Sequence, residues 1–128
     1  MSSPLLATYG TLMRAFDFQD ELGVRGRMEF VEPCRWDGTL YDIGPFPGAV
    51  PGAGTIHGEL FRLDSPEVWT VLDQYEGYDP DQPEASPFVR RRVGLAAPDV
   101  TAWVYWYNGS VADQPQVASG DWGDYVVD

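Results

Sequence analysis

Lysine is absent from this 128-residue sequence, so its positive charge rests on eight arginines. Against them stand 20 Asp and Glu, leaving a net charge of −12. A field this negative repels phosphate backbones and anionic lipid, so neither nucleic acid nor a membrane surface is expected as a partner. Cysteine is nearly absent too. Cys34 stands alone, which rules out an intrachain disulfide and makes a reducing compartment, the cytoplasm, the simpler expectation. Histidine occurs once, at His57. With no Cys or second His at ligand spacing, no metal site is expected, and a Ser-His-Asp triad would rest on that one residue. No apolar run approaches the ~18 residues of a membrane span. The start, Met1-Ser2-Ser3-Pro4, has no basic segment followed by a long apolar one, so no signal peptide is expected. Glycine loops of the P-loop or dinucleotide type are missing.

What remains is an ordinary globular composition, 44% hydrophobic and 22% charged. The length suits one domain over residues 1–128, because halves would be too small to bury good cores. Fourteen Gly and 11 Pro predict much turn and loop. Leu5 to Tyr9 reads as a buried strand stopped by Gly10, and Leu12 to Leu22 as a short irregular helix ended by Gly23. Val24 to Glu32 alternates loosely and predicts a strand. Asp37-Gly38 is a turn signal inside strand formers, and the breakers Gly44 to Gly48 and Pro51 to Gly54 predict loop. Ile56 to Leu63 predicts a strand with Ile56, Gly58 and Leu60 on one face and Phe61 and Leu63 on the other. Ser65 as cap, Pro66 at the first turn and Gly77 as stop frame a helix with Val68, Val71, Leu72 and Tyr75 at helical spacing. After a proline-rich loop, Phe88 to Leu95 and Val100 to Tyr107 predict a strand pair, the second apolar on both faces. Many strands and few short helices give an α+β fold, or a small mixed β-barrel with helices packed outside, and argue against a doubly wound parallel sheet.

Glu76 carries the clearest chemical signal. At about 100° per residue it falls between Leu72 and Trp69, on the margin of the buried stripe. It also sits at the negative end of the helix dipole, where a carboxylate is disfavoured. Both effects raise its pKa, as a general base near neutral pH requires. The alternative is a surface glutamate on a fraying helix end. Asp73, three residues earlier, could pair with it as in glycoside hydrolysis, or could be one more solvated acid. Eighteen aromatics could form a sugar-binding face, but Trp69, Trp103 and Trp106 lie in apolar segments and suit core packing. Tyr9-Gly10-Thr11-Leu12 is a strand-to-helix turn whose backbone N–H groups could bind an anion, or an ordinary turn.

Together these segments resemble the γ-glutamylcyclotransferase-like family, in particular its AIG2-like branch, which includes γ-glutamylamine cyclotransferases. The resemblance runs from Tyr9 to Trp122. It begins at the Tyr9-Gly10-Thr11-Leu12 turn and continues through Gly38-Thr39-Leu40-Tyr41-Asp42, Gly44-Pro45-Phe46-Pro47 and Gly58-Glu59-Leu60. It then passes Leu72-Asp73-Gln74-Tyr75-Glu76-Gly77, Arg90, Val93, Ala102-Trp103-Val104-Tyr105 and Ser119-Gly120-Asp121-Trp122. The resemblance implies a small mixed β-barrel with flanking short helices and a cavity at its mouth. It implies Glu76 as catalytic acid/base, and Tyr9, Gly10, Thr11 and Leu12 as the substrate-binding turn. It implies a γ-glutamyl small molecule as substrate, with 5-oxoproline and a free amine as products and no cofactor or metal. A non-catalytic binding module on the same fold is the alternative. One position departs from the family pattern. Members commonly carry Tyr two residues before the Arg that Arg90 matches, and here that residue is Phe88.

Overall fold

Alternation of apolar residues between two faces decides how this chain folds. The computed structural model describes residues 4–126. Met1 to Ser3, part of the stretch behind the signal-peptide reading, lie outside the described residues. In chain order the elements are β1 (Leu5–Thr8), α1 (Phe18–Glu21), β2 (Met28–Asp42), β3 (Pro47–Leu63), α2 (Pro66–Glu76), β4 (Phe88–Gly94), β5 (Thr101–Tyr107) and α3 (Trp122–Val126), with short 3-10 turns at Arg25–Arg27 and Pro83–Ala85.

The five strands form one sheet in the order β2-β3-β1-β5-β4. All pairings are antiparallel except β1 with β5, which meet in parallel at Leu6 and Trp103. The class is α+β, as expected, but the sheet is not closed into a barrel. β2 and β4 remain its edges. Arg35 bridges to Ala97, just beyond β4, with Arg35 N–H donating to Ala97 O at 2.9 Å. The curled sheet has two apolar clusters. Ala7, Trp36, Leu40, Ile56, Leu60, Val104 and Trp106 share the first. Leu6, Phe61, Leu63 and Tyr105 join Val68 and Leu72 of α2 in the second. β1 and β5 therefore feed both clusters, which is why β5 reads apolar on both faces.

Three expectations need correction. The helix expected over Leu12 to Leu22 shrinks to Phe18–Glu21. Buried Gln19 donates its side-chain amide to Leu12 O at 2.6 Å, so a side chain takes the place of a helical bond there. β2 starts at Met28, because a 3-10 turn occupies Arg25–Arg27. The Asp37-Gly38 turn signal and the Pro51 to Gly54 breakers lie inside strands, opposite one another. The ladder slips between Asp37↔Thr55 and Thr39↔Val50. Residues 51–54 thus have no register partner and bulge outward, all exposed. The breakers act as a bulge within a long hairpin, whose true loop runs from Ile43 to Phe46.

Candidate active site

α2 fixes one wall of the site. Ser65 stands at its N-cap with extended backbone, yet makes no side-chain cap bond. Its hydroxyl accepts from Arg27 instead. Pro66 opens the helix as expected. At the other end Gly77 adopts φ 74°, with Gly77 N–H bonded to Gln74 O and Tyr78 N–H to Asp73 O. This paired C-terminal closure makes Glu76 the last helical residue. Val68 and Leu72 are buried beneath, and Glu76 continues their stripe to the rim of a cavity.

That cavity has a volume of about 180 Å³. Its walls come from the end of β1 and the following turn (Ala7 to Leu12), from Phe46 and Pro47 of the β2–β3 hairpin, from Tyr75 and Glu76 of α2, and from Phe88 and Tyr105. All five expected site residues, Tyr9, Gly10, Thr11, Leu12 and Glu76, therefore face one cavity. Among the described residues that line it, Glu76 is the one acidic or basic side chain.

Burial pushes the Glu76 carboxyl up to about 8, and the neighbouring Asp73 charge adds to the rise. Among the described residues no group donates a hydrogen bond or an ion pair to this carboxyl, so nothing nearby stabilises its charged form. Tyr9 is buried, and its hydroxyl donates to Tyr105 O at 2.5 Å and receives Ala49 N–H at 3.4 Å. Burial, with Glu76 beside it, raises the Tyr9 phenol well above its usual value. Tyr9 is thus a fixed, neutral wall. Thr11 Oγ1 and the Tyr75 hydroxyl share a 2.7 Å hydrogen bond that ties the turn to α2. Among the described residues, no acceptor takes the backbone N–H groups of Gly10, Thr11 or Leu12. Three successive donors without protein partners suit an incoming carboxylate or oxyanion.

Gly10 has a packing reason of its own. A Cβ there would lie 2.6 Å from Pro47 Cγ and 2.9 Å from Pro47 Cδ, while its φ is not positive. The turn needs Gly so that the opposite wall can close on it, whatever the ligand.

The weaker candidates separate cleanly. Asp73 is not a free second carboxylate. Arg90 binds it through two bonds of 3.0 and 3.1 Å, and the Tyr105 hydroxyl donates to it at 2.6 Å. His57 is exposed, away from the cavity. None of the five tryptophans is exposed, so none of them offers a sugar a bare flat ring. Among the described residues no cluster of His, Cys, Asp and Glu could hold a metal, and no helix is long and apolar enough to cross a membrane. Phe88 is buried against Phe46 and Tyr107, at ring distances of 5.7 and 5.4 Å, so the missing hydroxyl leaves that wall apolar. Local sequence patterns did not point to Phe46, Pro47, Tyr75 or Tyr105 as wall residues. Tyr75 was legible only as a core position, and Tyr105 only through strand alternation.

Comparison with known proteins sets this site in a lineage. Over 85 residues the chain is 34% identical to the gamma-glutamylcyclotransferase family protein YtfP of Escherichia coli K12, covering 66% of this chain and 67% of that one. The solution structure of ytfP from Escherichia coli superposes with a TM-score of 0.72 at 28% identity, covering 94% of this chain and 97% of the other. An AIG2-like protein from Mus musculus shares the fold, with a TM-score of 0.64 at 20% identity, over 86% of this chain and 81% of the other. The family model described as gamma-glutamyl cyclotransferase, AIG2-like, matches residues 6–124, which include every strand but the first residue of β1 and every wall of the cavity. The chain belongs to the gamma-glutamyl cyclotransferase, AIG2-like family.

Proposed function

We propose that the chain catalyses intramolecular aminolysis of a γ-glutamyl amide. The substrate's α-amino nitrogen attacks its own γ-carbonyl carbon, and collapse of the tetrahedral intermediate breaks the bond to the amide nitrogen. The products are 5-oxoproline and a free amine, and no water is consumed. Glu76 takes the proton that the attacking nitrogen sheds and returns one to the leaving nitrogen. The unpaired N–H groups of Gly10, Thr11 and Leu12 are suited to the substrate carboxylate or the developing oxyanion. Folding the substrate into a near-attack conformer, which can lower a barrier by several kcal/mol, falls to the walls. A cavity of about 180 Å³ is below the usual ~300 Å³ of drug-sized sites, so it suits the glutamyl half and leaves the amine half at the mouth. No cofactor enters this scheme, since nucleophile and electrophile belong to one molecule.

The observation that carries this reading is the Glu76 carboxyl lining one small cavity together with the Gly10 to Leu12 turn, whose backbone N–H groups have no acceptor among the described residues. The test is a screen of γ-glutamyl amines, γ-glutamyl amino acids and glutathione for 5-oxoproline release, with Glu76→Gln beside the wild type. Release that falls by about 10²–10⁴ in the variant is expected. Near-wild-type release in Glu76→Gln would remove this residue from the reaction. The apolar Phe88 wall favours a second reading, a binding module without turnover. Calorimetric binding of a γ-glutamyl ligand with no 5-oxoproline formed would establish that one instead.

A further inference from the structure

Next to Glu76 in α2 lies a charged pair, neither member of which lines the cavity, that the reaction scheme has not used. Asp73 and Arg90 form a forked ion pair with both side chains 15% exposed. The Arg90 guanidinium lies 4.4 Å from the Trp69 ring centre and 4.7 Å from that of Trp103, so two indoles hold it. Trp69 and Asp73 sit four residues apart on α2, and one arginine from β4 therefore grips two successive turns of the helix. The Tyr105 hydroxyl of β5 closes the assembly on Asp73 Oδ1. Such a shielded pair is a weak source of stability, because desolvating both charges offsets most of their attraction. Its clearer effect is geometric. Helix α2, edge strand β4 and its neighbour β5 are pinned together one turn before Glu76.

We propose that Asp73 and Arg90 are positioning residues for the chemistry at Glu76: the pair locks the last turn of α2 against β4 and β5 and sets the local charge that the Glu76 carboxyl meets. The identity of the reaction rests on the cyclotransferase reading; the coupling of the pair to Glu76 does not. The groups facing Glu76 are Asp73 and Tyr75 on α2, Tyr9 after β1 and Tyr105 on β5, with Arg90 of β4 bound to Asp73 and acting on Tyr105, and Glu21 of α1 acting on Tyr75. Burial holds the three tyrosines neutral. Asp73 and Arg90 are therefore the charges that govern this wall. With both in place the Asp73 charge still raises Glu76, and the Arg90 cation paired to it opposes that rise. Removing the anion should ease ionisation of Glu76, and removing the cation should oppose it.

The test is a carbon-13 NMR titration of the Glu76 carboxyl in wild type, Asp73→Asn, Arg90→Met and Arg90→Lys, read beside the pH profile of 5-oxoproline release. Asp73→Asn should move the Glu76 midpoint down, and Arg90→Met should move it up, each by about half a pH unit or more. Arg90→Lys keeps the charge and loses the fork, so its midpoint should stay near wild type while kcat falls several-fold. A pair with a merely structural role would lower the melting temperature of the variants and leave all midpoints together, and that result overturns the proposal. Should Arg90→Met not fold, Asp73→Asn decides alone by the same criterion. Wild-type protein that releases no 5-oxoproline would refute the reaction, while opposite displacements of the midpoint would still uphold the coupling.

Discussion

A carboxyl held near pKa 8 leaves a thermodynamic mark as well as a kinetic one. The unfolded chain ionises Glu76 from about pH 4.5 upward, while the folded chain keeps the proton until about pH 8. Folding stability is therefore undiminished below the lower value and falls by about 1.4 kcal/mol per pH unit across the window. Glu76→Gln removes that loss, so urea denaturation should show a stability gain at pH 8 that is small or absent at pH 5. Equal gains at both pH values would mean the carboxyl is not perturbed. Turnover has the opposite sign. In the proposed reaction the ionised form is the base, so kcat/KM should fall as pH drops below about 8. A bound substrate ammonium favours the charged carboxylate, so the acid limb of kcat should lie at lower pH than that of kcat/KM. The residue itself was legible in the sequence through the Val68–Leu72–Glu76 stripe and the stop at Gly77. The Asp73–Arg90 pair was not, because 17 residues separate its members and no local pattern links a helix face to a strand that follows a proline-rich loop. Gly10 was legible as special for an incomplete reason: its contact is with Pro47, 37 residues on, which only the folded hairpin reveals.

At the level of elements, α2 was the most readable because each of its signals acts within a turn of itself. Its one misread signal was Ser65, whose hydroxyl is drawn to Arg27 from a distant segment. The β2–β3 hairpin was hard to read for the converse reason. Gly and Pro between residues 51 and 54 speak for a break, and the break is real, but the strands resume their ladder on both sides of it. The helix end offers a direct test of element geometry. Gly77 has φ 74°, and a Cβ there would approach Pro87 Cγ to 2.9 Å. Gly77→Ala should therefore cost at least about 1–2 kcal/mol and displace the last turn of α2. We expect a lower denaturation midpoint together with a several-fold lower kcat. An unchanged kcat per folded molecule would show that the Glu76 carboxyl does not depend on how the helix ends.

Over the whole molecule the charge of −12 acts on whatever approaches. A γ-glutamyl alkylamine carries no net charge near neutral pH, whereas a γ-glutamyl amino acid carries a negative one. Raising salt from about 10 mM to 150 mM shortens the screening length from roughly 30 Å to 8 Å. It should raise kcat/KM for the anionic substrate by about two- to threefold and leave the neutral one nearly unchanged. Equal salt responses would show that the net field does not reach the cavity mouth. The α+β class was legible in the strand count. The open sheet was not, because whether two edge strands meet depends on curl, which no residue pattern encodes. The parallel contact between Leu6 and Trp103 also puts order into the chain's birth. The strand that leaves the ribosome early is the centre of the sheet, and one of its flanks does not exist until residues 101–107 are made. At roughly 5–20 residues per second, that flank stays bare for about 5–20 s. The hairpins β2–β3 and β4–β5 are local and can close alone, so β1 must wait to be sealed between them. A chain arrested before residue 101 should accordingly show faster amide exchange in β1 than the full chain, on the side that β5 covers. Because the Gly10 turn follows β1 directly, and Tyr9 is pinned to Tyr105, the pocket cannot be complete until β5 is in place.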